Sequence, residues 1–248
     1  MVRWSLIAEY FSLFIISIIF IRYYGFEWKV AFTPRRKLFL ACLITSVGST
    51  LLNIICVYCL DHAQRFPVWF NMTLNTLYFL VSIIMCSLFA LFLFLLLQEH
   101  VYDDHCRVRA QQMLLGVTSA YVTVVLTNPL SGLLFYFDEA GLYQRGPLNA
   151  LCYTLPLLEL ALLVYCYFRN RNSVGSPMLY VMRSLPPQVL LICALQIFYP
   201  EILLNGTLSS WWGKIITGLL VLLFVALQQI VMRGKFGKKK SGPQQKKE

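Results

Sequence analysis

The sequence predicts an all-α membrane protein: a seven-transmembrane helix bundle, N-terminus outside and C-terminus inside, with a short extracytoplasmic β-hairpin between the fourth and fifth helices. Three observations carry that prediction. The chain is 58% hydrophobic and only 13% charged over 248 residues, more apolar surface than a water-soluble domain can hide. Seven stretches reach the ~20 mostly apolar residues that a spanning helix needs: Trp4–Tyr23, Leu38–Leu60, Val68–Leu97, Gln111–Thr127, Leu148–Phe168, Met178–Phe198 and Ser209–Met232. With the N-terminus outside, the segments between them place seventeen of the 21 Lys and Arg on the inner face, leaving only Arg3, Arg65, Arg145 and Lys214 outside. That split is the positive-inside bias.

The same distribution accounts for the formal net charge of +10. The basic excess serves topology and contact with anionic lipid, so nucleic acid is not an expected partner. The eight cysteines are scattered, nearly all within the spans, without the clustering of a disulfide framework or zinc site. They read as small apolar packing residues. Cys56 and Cys59 have CxxC spacing, but no βαβ pattern accompanies them.

In chain order, the first span contains Glu9 and lacks a basic leader followed by a small-residue cleavage site, so it reads as a retained helix. The run Thr33-Pro-Arg-Arg-Lys37 holds the second span at the inner face. That span carries Thr45, Ser46, Gly48, Ser49 and Thr50, small residues suited to close helix approach, and then Asn53. In the third span Asn71, Asn75 and Tyr78 recur at i, i+4 and i+7, a polar stripe along one helix face. Unsatisfied amides in hydrocarbon cost several kcal/mol, so the stripe must meet other helices or a wet cavity. Asn71-Met-Thr73 and Asn205-Gly-Thr207 match the glycosylation sequon, the first at a depth that a glycan would not reach.

The inner loop containing His100, Asp103, Asp104, His105 and Cys106 mixes both charges as a solvated connector does. It offers no complete metal ligand set, and no metal or cofactor is expected. Leu126–Tyr153 then combines helix breakers, aromatics and an acidic turn. Asn128-Pro129 is predicted to end the fourth helix, Leu133–Phe137 to form a strand, Asp138-Glu-Ala-Gly141 a turn, and Gly146-Pro147 to start the fifth helix. Phe135, Tyr136, Phe137 and Tyr143 suit a lid at headgroup level.

Glu159 falls near mid-membrane, where a charge costs at least ~2.5 kcal/mol. It is expected as a protonated or amide-bonded acid with Asn75, Asn53 or Gln196 as partner. The sixth span is broken by Pro186-Pro187 and Pro200, and Trp211 and Trp212 mark the outer interface before the seventh. Residues 233–248 are lysine-rich with almost no aliphatic side chains, a disordered cytoplasmic tail. No GxxxxGK[ST], GxSxG or HExxH is present, and the chain is not expected to be an enzyme.

Four runs carry a resemblance: RRKLFLACLITSVGSTLLNIICVYCLD, PVWFNMTLNTLYFL, LTNPLSGLLFYFDEAGLYQRGPLNALCY and the seventh-span ending ALQQ. In these, from Arg35 to Gln229, the chain resembles the seven-helix sensory region N-terminal to bacterial GGDEF diguanylate cyclases, clostridial ones especially. More distantly it resembles the N-terminal seven-helix region of histidine kinases. The resemblance implies that residues 1–232 form one sensory domain of the cell membrane that passes a movement of the seventh helix to a cytoplasmic signalling enzyme. Relatives continue into a cyclase or kinase, whereas a lysine-rich tail follows here, so the expectation is a stand-alone sensor, a degenerate paralogue or a fragment.

The function expected is binding of a small ligand, of unidentified chemistry, in the outer half of the bundle. Asn53, Asn71, Asn75, Tyr78, Asn128, Tyr136, Glu159 and Gln196 are the expected lining. The lipid bilayer is the other expected partner, and a homodimer is left open. Two alternatives stand beside this reading: a small transporter or proton-coupled carrier using Glu159 and the broken sixth span, and a membrane scaffold.

Overall fold

A computed structural model describes residues 10, 13–21, 34–97, 104–139, 141–169, 186–187 and 190. The expected sixth and seventh spans, with Gln196, Trp211, Trp212 and the tail, lie outside the described residues, apart from three positions.

Five helices and one hairpin make up the described chain. Residues 13–21 are helical (α1), followed by α2 (Pro34–Asp61), α3 (Val68–Leu97), α4 (Asp104–Ser131), strands β1 (Phe135–Phe137) and β2 (Tyr143–Arg145), and α5 (Leu151–Arg169). Stretches within α2, α3 and α4, namely Lys37–Asp61, Val68–Leu97 and Val108–Ser131, are long and apolar enough to cross a membrane. The described residues are mostly helical, with one two-stranded sheet.

Helix bounds follow local chemistry. Pro34 occupies the first position of α2, where its missing N–H has no intrahelical partner to lose. A short 3-10 turn at Ala63–Arg65 reverses the chain into α3, whose limits match the expected third span. The fourth helix departs from expectation at both ends. It begins at Asp104, taking in charged residues expected as loop, and runs through Pro129 to Ser131. The break falls at Gly132, whose φ of +63° is open to glycine without strain and whose N–H donates to the Asn128 carbonyl at 2.8 Å. Pro129 sits in the last helical turn, where one lost backbone bond interrupts little.

The helices pack antiparallel in sequence order. On α2 and α3, Phe39 faces Phe92 with ring centroids 6.0 Å apart, Ser49 meets Ser82 at 3.2 Å, and the Cys56 thiol donates to the Leu74 carbonyl at 3.6 Å. One register links all three pairs. Ile16 of α1 is buried against Phe39, Leu43 and Phe92 at the end far from the hairpin. Small residues make close approach possible, and Ser46, Ser49 and Thr50 are buried. Among the described residues, Cys42, Cys56, Cys59, Cys86, Cys152 and Cys166 form no disulfide.

Two apolar clusters fill the space among α3, α4 and α5. At the hairpin end, Ile83, Val125 and Leu155 pack with Leu134 and Phe135. At the opposite end, Ala90, Leu93, Phe94 and Leu97 pack with Ala110, Leu114, Leu163 and Tyr167. Between the clusters lies one polar layer. Lipid is the natural cover for the outward surface, on which Leu130 is 95% exposed and Met113, Leu115 and Leu126 are exposed along the same helix.

Candidate functional site

The hairpin is positioned by asparagine side chains. Asn128, 0% exposed, donates from Nδ2 to the Phe135 carbonyl at 3.0 Å. Its Oδ1 accepts the Leu134 N–H at 2.7 Å and the Phe135 N–H at 3.3 Å. From the other side, Asn149 Nδ2 donates to the Leu134 carbonyl at 2.9 Å. Buried backbone groups at a helix-to-strand junction need such partners.

The hairpin pairs Phe135 with Arg145, Tyr136 with Gln144 and Phe137 with Tyr143, antiparallel. Its turn is closed by Asp138, whose Oδ1 accepts the Leu142 N–H at 2.8 Å, and Gly141 takes φ +75°. Strand alternation turns Phe135 inward, where it stacks between Phe79 of α3 at 5.3 Å and Tyr143 at 5.6 Å. Tyr136 therefore lies on the opposite, exposed face of the strand, away from the packing beneath the hairpin. The strand is also shorter than Leu133–Phe137, and α5 begins at Leu151 rather than Leu148, because residues 147–150 form turns.

The polar stripe of α3 is buried as its spacing requires. Asn71 is 1% exposed and Asn75 is also buried. Asn75 Nδ2 donates to the Asn71 backbone carbonyl at 2.8 Å, whereas Asn71 Oδ1 is buried with no hydrogen-bond partner among the described residues. Tyr78 is half-buried one turn further. The register set by Ser49–Ser82 and Cys56–Leu74 places Asn53 of α2 level with Tyr78. Asn53, Asn71, Asn75 and Tyr78 thus share the hairpin-end half of the α2–α3 pair. Burial also removes Asn71 as a glycan acceptor.

Glu159 belongs elsewhere. It is 5% exposed and accepts from Ser87 Oγ at 2.7 Å on Oε1, and Ser87 Oγ accepts from Thr118 Oγ1 at 2.9 Å. Its bonded partner is thus a hydroxyl of α3 rather than Asn53 or Asn75. Sixteen residues of α3 separate Asn71 from Ser87, roughly 24 Å at ~1.5 Å per residue. One layer toward the hairpin, the Tyr121 hydroxyl bonds Thr154 across α4 and α5.

No protein-family model matches the chain, and no curated protein or solved structure matches it either.

The candidate site therefore rests on this geometry. Asn128 spends its amide on the hairpin, Tyr136 faces away, Glu159 occupies a separate layer, and Gln196 lies outside the described residues. Ser87 and Thr118 are the residues that sequence reading missed as partners of Glu159. A serine inside an apolar run looks like packing until the helix opposite it is known.

Proposed function

We propose that this chain is a seven-helix sensory protein of the cell membrane, binding a small ligand in the hairpin-end half of the bundle and signalling to a cytoplasmic partner. Asn71 carries the reading: its buried amide oxygen has no donor among the described residues, and a buried acceptor left so costs about 1–3 kcal/mol, an expense that a ligand's N–H or O–H would offset. Asn75, Tyr78 and Asn53 lie on the same half of the α2–α3 pair and give such a ligand further polar contacts. Asn128 and Asn149 hold the hairpin above them.

The orientation we propose puts the hairpin outside. Among the described elements, Arg35, Arg36 and Lys37 begin α2, Arg107 and Arg109 lie in the first turns of α4, and Arg169 ends α5. All are at the end opposite the hairpin. Arg65 and Arg145 are the basic residues described at the hairpin end, which also carries the acidic Asp61, Asp138 and Glu139. The positive-inside bias favours this arrangement. Binding would act by favouring one packing of the fifth to seventh spans over another, which requires a ligand of unequal affinity for the two.

Thermal-shift screening of the full chain in detergent, against uncharged and cationic compounds bearing hydrogen-bond donors, tests the site. A compound that stabilises the parent and leaves Asn71→Leu unmoved supports the reading. Equal stabilisation of both proteins by every active compound refutes it. A proton-coupled carrier is the second reading, favoured by the position of Glu159 between the two apolar clusters. Proteoliposome uptake that is lost in Glu159→Gln would put that reading first.

A further inference from the structure

We infer that Glu159, Ser87 and Thr118 form a reversible proton-binding site at the middle of the bundle, separate from the ligand site on α3. The three side chains come from α5, α3 and α4 and connect at 2.7 and 2.9 Å. Above them lies the cluster of Ile83, Val125 and Leu155, and below them that of Leu93, Leu114 and Leu163. Such surroundings make a lone carboxylate costly and leave its neutral form competitive.

The hydroxyls accommodate both forms without moving a heavy atom. Thr118 Oγ1 also lies 2.8 Å from the Leu114 carbonyl, so its single proton has two destinations. With Glu159 ionised, Thr118 donates to Ser87 and Ser87 donates to the carboxylate. When one proton from bulk water joins the carboxyl, both side-chain bonds reverse: Glu159 donates to Ser87, Ser87 donates to Thr118, and Thr118 turns its proton to the Leu114 carbonyl. The charge of the layer changes from −1 to 0; Ser87 keeps one donor and one acceptor role in both forms, and Thr118 donates in both and accepts from Ser87 only when Glu159 is protonated. Serine and threonine are the side chains that can do this, because their protons rotate.

Among the described residues, Glu159 is the one carboxyl in this layer. Facing elements contribute Cys86 on α3, Tyr121 on α4, whose hydroxyl is bonded to Thr154, and Cys152 and Cys166 on α5 itself. Among the described helices, all other charged side chains lie at helix ends. A proton taken up here sits across the contact of three helices, where a change of charge alters their packing.

Infrared spectroscopy of the full chain in lipid nanodiscs, titrated with pH and with glutamate carboxyls carbon-13 labelled, reads the site directly. A protonated-carboxyl band that shows the glutamate isotope shift should lose intensity as pH rises. It should be absent in Glu159→Gln and displaced in frequency in Ser87→Ala, which keeps the acid and removes its hydroxyl partner. The inference is overturned by a pH-independent band, by a band that persists in Glu159→Gln, or by the absence of any glutamate-shifted band. If Glu159→Gln does not fold, an unchanged frequency in Ser87→Ala overturns it equally.

Discussion

Asn128 holds Phe135 by its backbone: the side-chain amide of the last full turn of α4 donates to the Phe135 carbonyl at 3.0 Å and accepts the Phe135 N–H at 3.3 Å. Together with the bond to the Leu134 N–H, this sets the first strand of the hairpin against the helix ends. Phe135 then fills the gap between Phe79 and Tyr143. The hairpin is thus a plug seated by Asn128 on one side and by Asn149, through the Leu134 carbonyl, on the other.

Replacing that asparagine leaves buried backbone groups unpaired. Asn128→Ala should cost about 2–6 kcal/mol, from at least two groups at roughly 1–3 kcal/mol each. The loss appears as a lower melting temperature in detergent. Tyr136→Ala, on the exposed face of the same strand, should change stability by under about 0.5 kcal/mol.

Gly146 presents a steric test of the same junction. A Cβ at this position would lie 2.2 Å from the Leu133 carbonyl oxygen and 2.5 Å from that of Gly132, while the Gly146 N–H donates to the Leu134 carbonyl. Both obstacles are backbone and cannot rotate away. Gly146→Ala should destabilise by about 3 kcal/mol, the upper end for overpacking, and proteolysis should then cut within the hairpin first.

Much of this junction was legible beforehand. The Asp138–Gly141 turn and the aromatic strand were readable from breakers and aromatics, and the third span from its unbroken apolar run. Pro129 misled, because a proline marks where a helix is weakened, whereas the left-handed glycine that ends it is three residues on. The Asn71 and Asn75 stripe was readable from spacing alone. That Asn128 spends its amide on Phe135, and that Glu159 meets Ser87, depend on which helices become neighbours. No local pattern encodes that.

The proposed orientation yields a labelling result. Glu139 is exposed at the hairpin turn, and Glu139→Cys should react with a membrane-impermeant maleimide on intact cells well above the parent's background. Labelling only after the membrane is opened would place the hairpin inside and reverse the topology.

The melting temperature of Asn71→Leu, without any added compound, tests the central claim most directly. The leucine keeps asparagine's branching and number of side-chain heavy atoms, and it removes a buried acceptor that has no donor among the described residues. If Asn71 is held for a ligand at the expense of stability, the variant should melt above the parent, by an amount corresponding to about 1–3 kcal/mol, and should lose the stabilisation that donor-bearing compounds give the parent. A variant that melts lower than the parent and keeps that stabilisation would contradict the account.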